Sequence, residues 1–152
     1  KEETKEVRVD SFIEEAVDEN RSLAKETGIE IKYEKCNCKI KAGLLLKELF
    51  NNLIENSIKH SEGEIIKISS QNKDKKCITT IEDDGKGIPD KNKQKVFEKS
   101  YKNQETGGSG LGLYLVKKIA EKYGGRIEVN DSGLGGAGFD VVLGKVGVVD
   151  DG

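Results

Sequence analysis

The chain has 152 residues, 34% of them hydrophobic, which is enough for one domain with a buried core. Its 26 basic and 28 acidic residues give a net charge of -2 and are interspersed, so no charged block indicates a nucleic-acid or membrane partner. No apolar run approaches the roughly 18 residues of a membrane span, and the charged first ten residues contain no signal-peptide core. We therefore expect one soluble, cytoplasmic domain over residues 1–152 that contacts neither nucleic acid nor membrane.

The first half of the chain predicts helices and short strands in alternation. The sequence S-F-I-E at 11–14 matches a capping box, and apolar residues then recur with helical spacing until Gly28. Alternation of apolar and polar residues predicts the strands. The predicted elements are a first helix over 11–27, one strand beginning at Ile29, a second strand ending at Ile40, and a second helix over 42–60.

The second half predicts two strand pairs separated by a long polar segment and a helix. E-I-I-K-I-S-S-Q and K-C-I-T-T-I-E-D enclose a polar turn, and R-I-E-V-N and F-D-V-V-L enclose a glycine-rich one. Residues 90–109 are almost entirely polar, which predicts a long loop with at most one short helix. A third helix is predicted over 111–123, ended by Gly124 and Gly125. The fold class expected is an α/β (α+β) two-layer sandwich, a mixed, mostly antiparallel sheet covered on one face by three helices.

The three cysteines predict neither a disulfide framework nor a zinc site. Cys36, Cys38 and Cys77 are odd in number, and the C-x-C pair has no second pair of ligands elsewhere in the chain. We therefore expect three reduced thiols.

The second helix carries asparagines where they lower helix propensity. At about 100° per residue, Asn52, Asn56 and Lys59 fall within a sector of roughly 60°, opposite an apolar face. One interpretation is a solvated polar face. The other is a magnesium-phosphate site, because magnesium prefers hard oxygen ligands and a lysine suits phosphate.

The sequence D-D-G-K-G-I-P at 83–89 follows a predicted strand and has two interpretations. Asp-Gly is a strong hairpin-turn signal, whereas the spacing required for a calcium loop is absent. Alternatively, Asp83 at the strand end accepts a hydrogen bond from an exocyclic amine, and Gly85 and Gly87 let the backbone approach a flat base.

The sequence G-S-G-L-G-L at 108–113 opens the third helix. It has neither the ending of a P-loop nor the third glycine of a dinucleotide fingerprint. We therefore interpret it as a glycine-rich helix N-terminus, whose free N–H groups and dipole favour the binding of a phosphate group. The match of Gly133, Gly135 and Gly138 to G-x-G-x-x-G is interpreted as chance, because a strand rather than a helix follows it.

The order of these motifs resembles the ATP-binding catalytic domain of sensor histidine kinases. An N-x-x-x-N helix, D-x-G-x-G, the sequence V-F-E at 96–98, G-x-G-L-G-L and G-A-G-F at 136–139 correspond to the N, G1, F, G2 and G3 boxes of that family. The superfamily also includes type II topoisomerases, mismatch-repair ATPases and heat-shock chaperones. The resemblance covers nearly the whole chain.

The resemblance implies ATP and Mg²⁺ as cofactors and assigns roles to individual residues. Asn56 would carry magnesium, Lys59 would contact phosphate, and Asn52 would line the same site, which makes these three the catalytic group. Asp83 would bind the adenine amino group, and residues 90–109 would form a mobile ATP lid. The further nucleotide-binding residues are His60, Gly85, Gly87, Ile88, Lys99, Tyr101, Lys102, Gly108, Ser109, Gly110, Leu111, Gly112, Leu113 and Phe139.

The chaperone and topoisomerase branches place a glutamate base one helical turn before the metal asparagine, where this chain has Asn52. We therefore expect slow direct hydrolysis and transfer of the γ-phosphoryl group to a nucleophile on another domain. The only histidine, His60, lies in the N box and does not resemble a phosphoacceptor.

The expected function is the donation of phosphoryl from Mg-ATP to a histidine in two-component signalling. The expected partners are a histidine-containing dimerisation domain of the same protein, located before Lys1, and a downstream response regulator. The full-length protein would be cytoplasmic or membrane-anchored outside this segment. Two alternatives remain, an anti-sigma-type serine kinase or switch protein and a non-catalytic ATP-sensing module.

Overall fold

The structure is a computed structural model that describes residues 3–99 and 112–144. The helices are α1 Val9–Glu19, α2 Arg21–Thr27, α3 Leu45–His60 and α4 Gly112–Lys122. The strands are β1 Lys5–Arg8, β2 Glu30–Glu34, β3 Lys39–Ala42, β4 Ile65–Lys73, β5 Lys76–Asp83, β6 Arg126–Asp131 and β7 Ala137–Gly144. Within the described ranges, no helix has both the length and the apolar character to cross a membrane.

Five of the strands form one mixed sheet in the order β2-β4-β5-β7-β6. The β2–β4 pair is parallel, and the other three pairs are antiparallel. A parallel pair needs a long crossover, and here β3 and α3 lie between the two strands in the chain. The prediction of a mixed, mostly antiparallel sheet is confirmed.

The helices and the sheet enclose the core because α3 and β5 each bury one face. Alternate residues of β5, beginning at Cys77 and ending at Asp83, are buried, and the residues between them are only partly buried. On α3 the side chains of Leu49, Phe50 and Leu53 are fully buried, and α3 packs against α1, α4 and β5. Each such side chain contributes about 1.5–3 kcal/mol by its removal from water.

The predicted first helix is two helices, α1 and α2, and the prediction of one continuous helix is wrong. The chain leaves helical geometry at Asn20, which has φ -102° and ψ 3°. Its side-chain amide donates to the carbonyl of Ala16 at 2.9 Å and to Oδ1 of Asn51 on α3 at 2.7 Å. These bonds make the break favourable, because they satisfy a helix-end carbonyl and a side chain on a neighbouring helix.

The start of α1 and the first strand also differ from the sequence prediction. Helix α1 begins at Val9, ahead of the predicted capping box at 11–14. The preceding residues form β1, which pairs antiparallel with β3 in a separate two-stranded sheet and was not predicted. The reason is that β1 is charged and largely exposed, so its sequence shows little apolar alternation.

The prediction of three reduced thiols is wrong for two of the cysteines. Cys38 and Cys77 form a disulfide with Cα atoms 6.0 Å apart, whereas Cys36 is free. The two residues are 39 positions apart in sequence, and they meet only because the fold brings the residue before β3 next to the start of β5. Cysteine spacing alone does not reveal such a contact.

Residues 90–99 contain two short 3-10 turns, Asp90–Asn92 and Lys95–Phe97, rather than at most one short helix. Phe97 is buried, and its ring meets that of Phe139 edge to face with centroids 6.2 Å apart. This contact anchors the start of the predicted lid on β7. The rest of the predicted lid, including Tyr101, Lys102, Gly108 and Ser109, lies outside the described residues, and so do Gly110 and Leu111 of the G2 box.

Candidate functional site

The polar face of α3 is arranged as the sequence predicts. Asn52 and Asn56 are half-buried, Lys59 is exposed, and Ser57 faces the interior on the opposite side. The amide side chains of Asn52 and Asn56 make no hydrogen bond with another described residue, whereas Lys59 donates to Oε1 of Glu55 at 2.8 Å. The face therefore offers two amide oxygens and one ammonium group close together along the helix.

Asp83 ends β5 as a buried carboxylate, with 3% of its surface exposed. Its Oδ1 accepts hydrogen bonds from the backbone N–H of Gly85 at 2.9 Å and of Ala137 at 3.2 Å. Burial raises the pKa of the Asp83 carboxyl, and the two N–H donors partly oppose this by stabilising the charged form. Within the described ranges, Oδ2 accepts no hydrogen bond.

Two glycines permit this close packing around Asp83. A Cβ at Gly136 would lie 2.0 Å from Oδ1 of Asp83, and a Cβ at Gly85 would lie 1.8 Å from the carbonyl oxygen of Ser61. Any larger residue at either position would displace backbone or the carboxylate itself. The loop after β5 is thus held between the end of α3 and the start of β7.

The same loop is fixed to the end of α3 by further hydrogen bonds. The backbone N–H of Lys86 donates to the carbonyl of Ser61 at 2.8 Å. The side chain of Asp84 accepts from the N–H groups of Glu64 at 2.8 Å and Ile65 at 3.0 Å, and these bonds lower the pKa of Asp84. Asp84 therefore joins the end of β5 to the start of β4, while Asp83 points to β7.

Several other predicted site residues lie in the elements around Asp83. His60 is half-buried at the end of α3, and burial together with the charges of Lys86 and Lys59 lowers its pKa. Gly87 has a positive φ of 74°, and Ile88 packs partly buried against the core. The structure therefore brings the end of α3 and the G1 segment together.

The remaining described residues of the predicted site lie on α4, on β7 and just after the second 3-10 turn. Gly112 begins α4, and Leu113 is buried there. Lys99 is exposed, with its ammonium 6.0 Å from the centroid of the Tyr114 ring. Phe139 is buried against Phe97, which places its side chain in the core of the domain.

A groove between α3 and α4 adjoins the polar face of α3. Its volume is about 490 Å³, and Asn52 and Glu48 of α3 face Leu115 and Lys118 of α4 across it. Asn52 thus belongs both to the polar face of α3 and to the lining of the groove.

Residues 42–146 match the family of histidine kinase-, DNA gyrase B- and HSP90-like ATPases. The chain belongs to this ATPase family. Over 104 residues, this ATPase domain is 39% identical to the signal transduction histidine-protein kinase BaeS of Escherichia coli (strain K12). The matched region covers 64% of the chain and 22% of BaeS, so the chain spans about a fifth of that relative.

Solved structures have the same fold as this ATPase domain. The mycobacterial sensor histidine kinase MprB matches with a TM-score of 0.84 and 24% identity, over 94% of this chain and 98% of that one. Full-length ShkA in complex with AMPPNP matches with a TM-score of 0.81 and 21% identity, over 97% of this chain and 33% of that one. With BaeS, these matches confirm the predicted branch of the family, the ATP-binding domain of sensor histidine kinases.

Sequence reasoning missed two residues that shape the site of this ATPase domain. Ala137 donates to Asp83 through its backbone, which no side-chain pattern could reveal. Lys93 donates to the carbonyl of Ile88 at 3.0 Å and also pairs with Asp90 at 2.5 Å and Asp131 at 2.9 Å. It thereby holds the segment after the G1 box against β6. A lysine within a polar loop gives no sequence signal for such a role.

Proposed function

We propose that this domain binds Mg-ATP and donates the γ-phosphoryl group to a histidine on a separate dimerisation domain. The observation that carries the proposal is the fixed carboxylate of Asp83, together with the packing of the loop that follows it against the end of α3, the helix that carries the amide face. The buried carboxylate would accept a hydrogen bond from the base, and the amide oxygens of α3 would serve the metal-bound phosphates. The two groups therefore match the two ends of a purine nucleoside triphosphate. The complete protein would act in two-component signalling with a response regulator.

Asp83 would read the base of the nucleotide. Adenine presents an exocyclic amino donor where guanine presents a carbonyl acceptor, so an ionised Oδ2 would attract adenine and repel guanine. Because Oδ1 is held by two backbone donors, the carboxylate does not need to reorient on binding. Gly85, Gly87 and Ile88 would form the adjoining wall of the base pocket.

The amide face of α3 fits magnesium by the chemistry of its donors. Asn56 would hold the ion through its amide oxygen, with Asn52 beside it and Lys59 on the phosphates, because magnesium takes few protein oxygens and keeps water and phosphate ligands. The bound ion would neutralise part of the phosphate charge. Lys59 could exchange its exposed pair with Glu55 for phosphate at little cost, since exposed pairs contribute about 0–1 kcal/mol.

The relatives support phosphoryl transfer rather than hydrolysis. BaeS is a histidine-protein kinase, and the ShkA structure contains AMPPNP. Asn52 occupies the position of the glutamate base in the hydrolytic branches, so a water molecule at the γ-phosphate would lack its base. In the transfer, the bond from the γ-phosphorus to the bridging oxygen breaks, ADP leaves with the electron pair, and a bond to an imidazole nitrogen forms. The imidazole proton is released to solvent.

The test is phosphotransfer from radiolabelled ATP to the purified dimerisation domain of the same full-length protein. We expect acid-labile, base-stable label on the dimerisation domain and no stoichiometric label on this chain alone, because His60 is not an acceptor. Asn56→Ala should strongly reduce the labelling, since it removes the magnesium donor from a half-buried position outside the core.

Other labelling patterns would indicate a different function for the domain. Acid-stable label on the acceptor would indicate a serine kinase, and nucleotide binding without any label would indicate an ATP-sensing module. Stoichiometric acid-labile phosphate on the isolated chain would contradict the separation of donor and acceptor.

A further inference from the structure

Three cysteine sulfurs meet at the start of β3, on the other end of β5 from Asp83. The disulfide between Cys38 and Cys77 is buried, with 0% and 1% of the two residues exposed. Cys36 is a free thiol with a partly exposed surface, and its Sγ lies 3.8 Å from Sγ of Cys38. A surface thiol therefore touches one sulfur of a buried disulfide.

The backbone places the two neighbouring cysteines on the same side. The N–H of Cys38 donates to the carbonyl of Cys36 at 2.9 Å, which closes a three-residue turn. In this turn the sulfurs of Cys36 and Cys38 lie 3.8 Å apart. A bond between these sulfurs therefore requires little movement of the chain.

Contacts from two other elements hold Cys36 in this position. The amide of Asn72 on β4 donates to Sγ of Cys36 at 3.4 Å and to the carbonyl of Asn37 at 3.3 Å. The backbone N–H of Cys36 donates to Oδ1 of Asp10 at 3.2 Å, and the hydroxyl of Tyr33 donates to the same oxygen.

We propose that Cys36, Cys38 and Cys77 form a thiol–disulfide exchange site, in which Cys36 connects the buried disulfide to small thiols in solution. The Cys36 thiolate attacks Sγ of Cys38, the bond to Cys77 breaks, and Cys77 leaves as a thiolate that takes up a proton. The product is a Cys36–Cys38 disulfide. Two glutathione-class thiols then reduce it through a mixed disulfide at Cys36, and they leave as the oxidised small-molecule disulfide.

In the oxidising direction the same steps run in reverse. A small-molecule disulfide forms a mixed disulfide with Cys36 and releases one thiol. Cys38 then displaces the second small thiol from Cys36, and Cys77 finally attacks Cys38 and regenerates the Cys36 thiol. The buried pair changes its redox state, and Cys36 ends unchanged.

Burial is the reason that Cys36 is needed. Neither sulfur of the disulfide is accessible, so a reductant in solution can attack directly only after the domain opens. Attack by Cys36 requires no opening, since its sulfur already contacts Cys38. The site is independent of nucleotide binding, and its test does not depend on the proposed kinase activity.

The test measures the rate at which glutathione reduces the Cys38–Cys77 disulfide in the folded chain. Thiols are blocked at intervals with one alkylating reagent, and the newly reduced cysteines are identified by mass spectrometry. We expect Cys36→Ser to slow the reduction by roughly tenfold or more, because the internal nucleophile is lost. The matched control is Asn37→Ser, which changes the exposed neighbour and should reduce at the wild-type rate.

A second variant tests the exchange without relying on that rate. In Cys77→Ser, treatment with oxidised glutathione should give a Cys36–Cys38 disulfide, detected after proteolysis without reduction as a peptide spanning residues 36–38 that resists alkylation and has lost two hydrogen atoms. Equal reduction rates for wild type and Cys36→Ser would overturn the proposal. So would the absence of the Cys36–Cys38 peptide, or of the Cys38–Cys77 disulfide in oxidised wild type.

Discussion

At the scale of single residues, the two oxygens of Asp83 have different surroundings. Oδ1 accepts from Gly85 and Ala137, whereas Oδ2 has no partner among the described residues. Because burial raises the pKa of this carboxyl, its protonated form persists to a higher pH than for an ordinary aspartate. The proposed base recognition needs the ionised form. Lowering the pH therefore protonates Asp83 and weakens the recognition of the base.

The first residue-scale prediction concerns nucleotide selectivity and its pH dependence. Wild type should prefer ATP to GTP by roughly ten- to hundred-fold, since a hydrogen bond to a charged group contributes about 1.5–3 kcal/mol. The preference should weaken as pH falls through the raised pKa of Asp83. Asp83→Asn should narrow the preference and remove this pH dependence, as titration calorimetry with both nucleotides at several pH values would show.

Asp83→Asn is expected to weaken nucleotide selectivity but not to lower the stability of the fold. A carboxyl with a raised pKa in the folded state destabilises the fold once the pH exceeds its unfolded pKa. Asp83→Asn should therefore unfold at the same or a higher temperature than wild type at neutral pH. If it instead unfolds at a clearly lower temperature and binds both nucleotides as wild type does, Asp83 is only a turn residue.

At the scale of elements, the site depends on where the β6–β7 hairpin enters the sheet. Gly136 and Ala137 meet Asp83 at the end of β5, and the N–H of Gly136 donates to the carbonyl of Asp83 at 3.1 Å. The hairpin thus fixes the carboxylate through β7, whereas the loop after Asp83 packs against the end of α3. Gly138, two residues further along, has only ordinary contacts, since a Cβ there would lie 3.7 Å from its nearest neighbour.

A matched pair of glycine variants tests this junction. Gly136→Ala should weaken ATP binding by roughly tenfold or more, because its methyl group would lie 2.0 Å from Oδ1 of Asp83 and displace it. Gly138→Ala should leave the affinity close to that of wild type. Fluorescence competition with a labelled ATP analogue gives both constants, and equal effects of the two variants would contradict the proposed role of Gly136.

At the scale of the whole molecule, the disulfide joins two distant parts of the fold. It links the residue before β3 to the start of β5 and closes a loop that contains α3 and β4. A cross-link between residues 39 apart restricts the unfolded chain, which by the chain-entropy model stabilises the folded state by about 4 kcal/mol. The domain should therefore be less stable in a reducing environment.

Chemical denaturation with and without reductant tests this prediction. Oxidised wild type should lose about 3–4 kcal/mol of unfolding free energy on reduction. Cys38→Ala, which can form neither the Cys38–Cys77 nor the Cys36–Cys38 bond, should give the same free energy of unfolding under both conditions. A wild-type curve that does not respond to complete reduction would show that the cross-link adds no net stability.

The sequence by itself determined most of the local elements and the order of the functional motifs. The apolar period of α3 already separates Phe50 and Leu53 from Asn52 and Asn56, because burial selects one face of a helix. Strand alternation and turn residues predicted the mixed sheet in the same way. The motif order around Asp83 and Asn56 then indicated the ATPase family without any contact being known.

Only the tertiary structure decided which distant residues meet. Asn20 reaches Asn51 and divides the first helix, Ala137 reaches Asp83 across the sheet, and Cys38 reaches Cys77. These contacts depend on backbone atoms or on side chains far apart in the chain. Periodicity reports whether a side chain faces the core or the solvent. It does not report which partner lies opposite, because that depends on how the layers of the fold are placed against one another.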